Sequence, residues 1–170
     1  LPFHHHDRWR EHLDYQSAWW DDPSPRRPLV LLRSAVDPAS PPQAWDIWRF
    51  SREPDAAETH CTDFAGHATG YRYHLGALPF LNPNFAAGVL ATLINGEFDF
   101  QDDTVWVERA MEWDALTDVR LDESGTWWQR LMRSVSTGIE HGIVTATPDP
   151  GGTLDICAAV RGTQNLLYDV

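Results

Sequence analysis

The sequence predicts an α/β fold in which parallel strands alternate with crossover helices. Leu29–Leu32 is a short, continuously apolar run, which is typical of a strand buried on both faces of a parallel sheet. Residues 126–141 carry tryptophan and aliphatic side chains at every fourth position, the spacing of an amphipathic helix. Directly after that helix, residues 143–147 are rich in β-branched side chains, which favours another strand.

The N-terminal third contributes one clear helix and one clear strand. Residues 7–20 have apolar side chains at helical spacing, and the prolines of 21–25 stop that helix because proline lacks an N–H. The strand 29–32 follows. We predict a loop from Asp37 to Pro42 and short helices near Trp45 and from Glu53 to Phe64.

The central part is predicted to hold two strands and a helix between them. Tyr71–Leu75 is an aromatic and aliphatic strand, and Leu78–Asn84 is a loop. Pro83 suits the first turn of a helix that reaches Ile94, with Asn82 as its cap. A third strand is predicted at Thr104–Glu108.

The C-terminal third is the most regular. The helix 126–141 ends at a glycine, the strand 143–147 follows, and residues 148–152 form a turn. A helix over 153–161 stops at Gly162, and Thr163 caps another. Without any internal repeat, residues 1–170 are expected to form one domain, with strand–helix units from about residue 28 onward.

Composition excludes several function classes. The 25 acidic residues outnumber the 13 basic ones, and the resulting net charge of −12 opposes nucleic-acid binding. Every basic residue is arginine, so Schiff-base and Walker-type lysine chemistry is absent. Two distant cysteines and no long apolar run favour a reducing compartment without a membrane span. We therefore expect a cytoplasmic protein.

Several segments together resemble the uroporphyrinogen decarboxylase-like superfamily, in an uncharacterised branch. They keep the order and spacing of that branch over nearly the whole chain, and they are Leu78–Ala91, Asp103–Trp106, Trp127–Trp128, Asp149–Asp155 and Arg161–Asp169. The resemblance implies the N-terminal half of a (β/α)8 TIM-type barrel, with about four parallel strands and a site at their carboxyl ends. On this basis we expect the C-terminal half of the barrel to be absent from the 170 residues.

The resemblance implies an enzyme. The superfamily contains cofactor-free decarboxylases of tetrapyrroles and zinc-dependent methyltransferases that act on corrinoid proteins. Its decarboxylases carry an aspartate after the second strand and two arginines after the first. Here Asn82 stands in the aspartate's region and only Arg33 matches an arginine, which argues against uroporphyrinogen itself as the substrate. Any zinc would be held by the missing half, so we expect no cofactor within this chain.

The candidate site residues follow predicted strands, where a barrel gathers its functional groups. Asp149 is the catalytic candidate, because a carboxylate there can act as an acid or a base, although Pro-Asp-Pro-Gly is also a common turn. Asn82 and Asn84 can grip a carboxylate or amide, or Asn82 can simply cap a helix. Arg33 can clamp a carboxylate or pair with an acidic neighbour.

Other residues give weaker signals. Glu108 is a lone carboxylate at a strand end. Most of the nine tryptophans, including Trp20, are expected to pack in the core, whereas Trp45 and Trp106 are candidates for stacking on a substrate. A group of three histidines and a cysteine, of spacing that fits no tetrahedral zinc pattern, predicts no metal site: His60, Cys61, His67 and His74.

Two alternatives remain open. Abundant tryptophan and surplus carboxylates also suit a carbohydrate-active or carbohydrate-binding barrel, which requires two carboxylates across one cleft. A half barrel with an unpaired edge could instead be inactive alone and form a homodimer. The expected partners are thus a small tetrapyrrole or other polycarboxylate, or a corrinoid protein, without nucleic acid or membrane.

Overall fold

The structure is a computed structural model of a mixed α/β protein. It describes residues 8–22, 28–85, 89–95, 99–100, 105–106, 110–117, 119–145 and 151–169. The helices are α1 Trp9–Trp20, α2 Arg49–Arg52, α3 Ala57–Thr69, α4 Val89–Asn95, α5 Trp113–Leu116, α6 Thr126–Glu140, α7 Thr153–Arg161 and α8 Thr163–Asp169. The strands are β1 Leu32–Ala35, β2 Tyr71–His74, β3 Phe80–Leu81, β4 Asp99–Phe100, β5 Val105–Trp106 and β6 Val144–Thr145.

The strands form three separate pairs, of which one is parallel. β3 and β6 run parallel, with Phe80 opposite Val144 and Leu81 opposite Thr145. The pairs β1–β2 and β4–β5 are antiparallel. The prediction that the four strands are parallel is therefore wrong for β1, β2 and β5, and it holds only for β6. The parallel partner of β6 is β3, a strand that the sequence analysis placed in a loop.

The position of α3 explains why β1 and β2 pair in the antiparallel direction. A parallel pair needs a helix that crosses back over the sheet. Instead, α3 buries one face, including Cys61 and Phe64, in a core that it shares with α6. Only Gly70 separates α3 from β2, so the chain turns at once and returns alongside β1.

The core lies between α3, α6 and the β3–β6 pair. Its fully buried side chains are large and apolar, and α6 adds Leu131 from the stripe that the sequence predicted. Ile139, the last member of that stripe, is 63% exposed, so the stripe is buried only along its first part. The cluster consists of Phe50, Ala57, Cys61, Phe64, Ala68, Leu81, Phe85, Val89, Leu131 and Ile143.

The N-terminal helix is held to the rest of the molecule by polar contacts. His12 is 2% exposed, and its Nδ1–H donates to the carbonyl oxygen of Ala77 at 2.6 Å. Gln16 Nε2 donates to the carbonyl oxygen of Gly76, also at 2.6 Å. The predicted helix is confirmed over Trp9–Trp20, but the core position predicted for Trp20 is wrong, because that side chain is 71% exposed.

The C-terminal helices are joined through one arginine. Arg161 Nε lies 2.8 Å from Asp169 Oδ2, and its Nη1 lies 3.1 Å from Glu112 Oε2. Trp113 Nε1 donates to the same Asp169 carboxylate at 2.9 Å. The hydrogen bond from Arg161 lowers the pKa of Asp169. Gly162 separates the two helices with φ +84°, a conformation that favours glycine.

Candidate functional site

The strands β3 and β6 end at the same edge of their sheet, which we call the exit edge. Because Leu81 pairs in parallel with Thr145, the carboxyl ends of both strands lie at this edge. In open and closed α/β sheets, ligands bind at the carboxyl ends of parallel strands. Asn82 is the first residue beyond β3 at this exit edge. Asp149, the predicted catalytic residue, lies outside the described residues, as does Glu108.

The segment that follows β3 is pinned by buried apolar side chains. Pro83 is buried, and Phe85 is 1% exposed with its ring 6.2 Å from that of Trp127 in an edge-on contact. Between these anchors Asn84 is half-buried, whereas Asn82 is exposed. The anchors hold the Asn82 backbone at the edge of the sheet and leave its amide accessible to solvent.

Asn82 does not cap a helix at Pro83. Residues 82–85 are not helical, and α4 is assigned only from Val89. The predicted helix start at Pro83 is therefore wrong. Burial of Phe85 against Trp127 accounts for the difference, since it holds this segment against the core in a non-helical path. Without a cap to form, the Asn82 side chain is available for a ligand.

The β3–β6 sheet has one covered and one open face. Leu81 is fully buried and lies on the face that packs against α6, where Thr145 approaches Gly138. Phe80 points to the other face and is 59% exposed, opposite the half-buried Val144. Parallel sheets are normally covered on both faces. An apolar face therefore lies open beside the exit edge.

Arg33 and Trp106 do not belong to this sheet. Arg33 lies in the middle of β1, where its guanidinium stacks on the Tyr71 ring at 4.6 Å. Trp106 ends β5 and is 63% exposed in the β4–β5 pair. The structure thus places these two predicted binding residues in other sheets, and of the predicted set only Asn82 and Asn84 are placed by the structure beside the β3 end.

The structure contains a shallow groove that the sequence did not predict, although one of its lining residues, Trp45, was a candidate for stacking on a substrate. It has a volume of about 600 Å³ and lies between the 43–49 segment and α3. Arg49 crosses it, with Nη2 2.6 Å from Asp63 Oδ2 and its guanidinium 5.2 Å from the Trp45 ring. Because Asp63 neutralises Arg49, the groove presents no unbalanced charge at this point. No sequence motif links these residues, which come from separate elements.

The histidines and the cysteine of α3 and β2 have different surroundings and different contacts. His60 is fully buried and donates from Nε2 to the Glu53 carbonyl oxygen at 3.1 Å. Burial raises the pKa of the neighbouring Cys61 thiol to about 11, so this thiol is a poor nucleophile at neutral pH. His74 lies elsewhere, with Nε2 2.9 Å from Ser34 Oγ. Within the described part of the chain, no three such side chains are arranged to hold a metal.

His67 occupies an aromatic environment. Its ring lies 5.5 Å from Trp45 and 5.3 Å from Tyr71, measured between ring centroids. Its buried Nε2 has no hydrogen-bond partner among the described residues. Burial, with a smaller contribution from the charge of Arg33, lowers the pKa of His67. The ring is thus a neutral member of an aromatic cluster rather than a proton donor at neutral pH.

Over the described residues, none of the helices combines the length and apolarity needed to cross a membrane. Comparison of the chain with family models, with curated proteins and with solved structures gives no match.

Proposed function

We propose that this chain contributes the first part of an α/β barrel enzyme of the uroporphyrinogen decarboxylase-like superfamily. In this proposal β3 and β6 are neighbouring barrel strands, and the exit edge beyond them is the rim of the active site. The antiparallel β1–β2 pair is an addition outside the barrel, and the open face that carries Phe80 is part of the barrel interior. The cytoplasm is the proposed location.

The parallel register of β3 and β6 is the observation that carries the proposal. It places the carboxyl ends of both strands, at Leu81 and Thr145, at the same edge. Two of the segments that resemble the superfamily follow these strands in the sequence: Leu78–Ala91 includes Asn82 directly after β3, and Asp149–Asp155 begins four residues after Thr145. A shared rim is what a barrel requires of catalytic loops. The proposal therefore rests on Asn82, Asn84 and Asp149, and not on Arg33 or Trp106.

The side chains suit a substrate that carries carboxylates. The Asn82 amide has two N–H donors that can hold one substrate carboxylate in place. In decarboxylation a C–C bond breaks, carbon dioxide leaves, and the electron pair that remains on carbon takes up a proton. In its protonated form, the Asp149 carboxyl is a suitable source of that proton. We favour a tetrapyrrole or another polycarboxylate as the substrate.

Methyl transfer to or from a corrinoid protein is the other activity of the superfamily. It needs zinc, and the described residues offer no group of three metal ligands. We therefore derive no step through zinc. No contact among the described residues favours a carbohydrate site.

The proposal is tested with the product of the complete gene. The protein is incubated with an octacarboxylate porphyrinogen under reducing conditions, and the oxidised products are separated by chromatography. We expect products that have lost one or more carboxylates. Asp149→Asn should lower kcat by about 100-fold or more, the usual contribution of an acid–base group. Asn82→Ala should instead raise KM by about tenfold, because it removes the hydrogen bonds that hold the substrate carboxylate.

The matched control is Arg10→Ala, an exposed residue of α1 that should retain full activity. A protein that neither decarboxylates polycarboxylates nor transfers methyl groups would overturn the proposal. Full activity in both the Asn82→Ala and Asp149→Asn variants would place the active site elsewhere.

A further inference from the structure

The strand β1 has an edge that offers unpaired backbone groups. The Val36 N–H donates to the Gly70 carbonyl oxygen at 2.8 Å, in register with the β1–β2 ladder. Antiparallel ladders alternate, so Ser34 also directs its N–H toward β2. The N–H groups of Arg33 and Ala35 therefore point to the opposite edge. No described strand pairs with that edge.

Apolar side chains line this edge and are exposed on both faces of the strand. Leu31 and Leu32 point to opposite faces, yet they are 50% and 51% exposed. Val30 and Val36, at the two ends, are 47% and 43% exposed. Proteins usually protect an edge strand with lysine, proline or a bulge. Between residues 29 and 36 this strand has Arg33 as its one charged side chain.

The charge at this edge is positive, although the protein has a net charge of −12. Arg33 lies on β1 and is exposed, whereas the exposed Arg72 lies on β2 and on the opposite face of the sheet. Neither contacts a carboxylate among the described residues, and Arg33 stacks on Tyr71 instead. By contrast, Arg49 is paired with Asp63 and Arg130 with Asp55.

We propose that the free edge of β1 takes up an extended segment of a partner protein in which acidic side chains alternate with apolar ones. The segment adds a third strand through the N–H and C=O groups of Arg33 and Ala35, a known mode of peptide recognition. Because the side chains of a strand alternate between its two faces, the acidic side chains of the segment lie beside Arg33 on one face, and its apolar side chains cover Leu32 and Val36 on the other. The charge of Arg33 selects an acidic segment over a second copy, because a second copy paired through the same edge would bring another Arg33 to it.

The test uses the 170-residue chain and two labelled octapeptides, one alternating valine with glutamate and the other valine with lysine. Binding is measured by fluorescence anisotropy. We expect the glutamate peptide to bind at least about tenfold more tightly than the lysine peptide, a difference that added salt should reduce. Equal affinity for the two peptides would overturn the proposal.

Two variants test the contacts separately. Ala35→Pro removes an outward N–H without removing a β1–β2 hydrogen bond, and it should weaken binding by about tenfold or more. Arg33→Glu should have a similar effect, whereas the charge-matched control Arg10→Glu on α1 should bind as the wild type does. Wild-type affinity in Ala35→Pro would overturn the proposal.

A modified peptide keeps the test decisive if Ala35→Pro does not fold. N-methylation of alternate residues of the glutamate peptide blocks one hydrogen-bonding edge, and methylation of the intervening residues blocks the other. We expect only one of these two peptides to lose affinity. Equal affinity of both would contradict strand addition. Sedimentation of the chain alone provides the last check, since a dimer that Ala35→Pro abolishes would identify a second copy as the occupant.

Discussion

The β3–β6 and β1–β2 pairs are both two-stranded sheets, yet they are stabilised in opposite ways. β3–β6 has only two residues per strand, but Leu81 is fully buried and Phe85 beside it packs against Trp127. β1–β2 has four residues per strand and a regular ladder, but Leu32 is half exposed. An isolated two-stranded sheet is marginal in water. The difference shows that burial, not ladder length, decides which sheet is part of the core.

The largest effect should come from truncating the buried anchor of β3. Phe85→Ala removes a ring from the core, and we expect a loss of about 3–5 kcal/mol in the free energy of unfolding. The matched change in the other sheet, Leu32→Ala, should cost at most about 0.5 kcal/mol because that side chain is half exposed. Urea denaturation monitored by circular dichroism measures both. Equal losses would contradict the contrast between the two sheets.

A smaller effect should come from the contact between α6 and β6. A Cβ at Gly138 would lie 2.5 Å from Thr145 Oγ1, so Gly138→Ala must displace β6 or rotate Thr145. We expect a loss of about 1–3 kcal/mol, as for other overpacked sites. The second substitution Thr145→Ala removes the clashing oxygen and should recover most of that loss.

Gly66 provides the control for this prediction. It also lies inside a helix, α3, but a Cβ there would meet no atom within 4 Å. Gly66→Ala should therefore increase the free energy of unfolding by about 0.5–1 kcal/mol, through the helix propensity of alanine. If both alanine variants shift stability in the same direction, the close approach of β6 to α6 is wrong.

The stability of the molecule should depend on pH through His67, which lies in the last turn of α3 against Tyr71 of β2. Its pKa is lowered, so between its folded pKa and about 6.5 the unfolded chain binds more protons than the folded one. Stability should be full above pH 6.5 and should fall as the pH is lowered through that window. Denaturation midpoints in urea at pH 7.5 and 5.5 measure the change, and His67→Gln should reduce it.

The carboxylates do not obscure this window. Asp55, Asp122 and Asp169 have lowered pKa values because of hydrogen bonds, so their contribution to stability is lost only as the pH falls below about 4. Arg33, Tyr71 and Trp45 face His67. An unchanged slope in His67→Gln would show that another group is responsible.

Local patterns predicted the helices better than the strands. The stripe of Trp127, Leu131 and Val135 gave α6 to within one residue, and α7 was predicted over its full length. β1 was predicted three residues too early, because the apolar run 29–32 suggested burial that the structure does not provide. Apolar character identifies a strand, but strand direction depends on how distant segments pack. β3 was missed because two residues give no periodicity.

The candidate site was predictable to the same limited extent. Asn82 was identified from its position before Pro83, and it directly follows β3, a strand that was not predicted, whereas its capping role is wrong. Arg33 was assigned to a strand end but lies within β1, since the strand was predicted too early. The exit edge itself follows from the pairing of Leu81 with Thr145, 64 residues apart, which no local pattern encodes.

The smallest effect should come from the exposed ion pair that links α6 to the start of α3. Arg130 reaches Asp55 with two hydrogen bonds of 2.8 and 3.0 Å, while its guanidinium lies over the Trp127 ring at 4.6 Å. Asp55→Asn removes the charge on one partner and leaves the cation–π contact, so we expect a slight decrease in Tm. Because salt screens exposed pairs, the decrease should vanish at high ionic strength. A decrease that persists in about 1 M NaCl, where screening acts within a few ångströms, would instead assign the effect to the geometry of the hydrogen bonds.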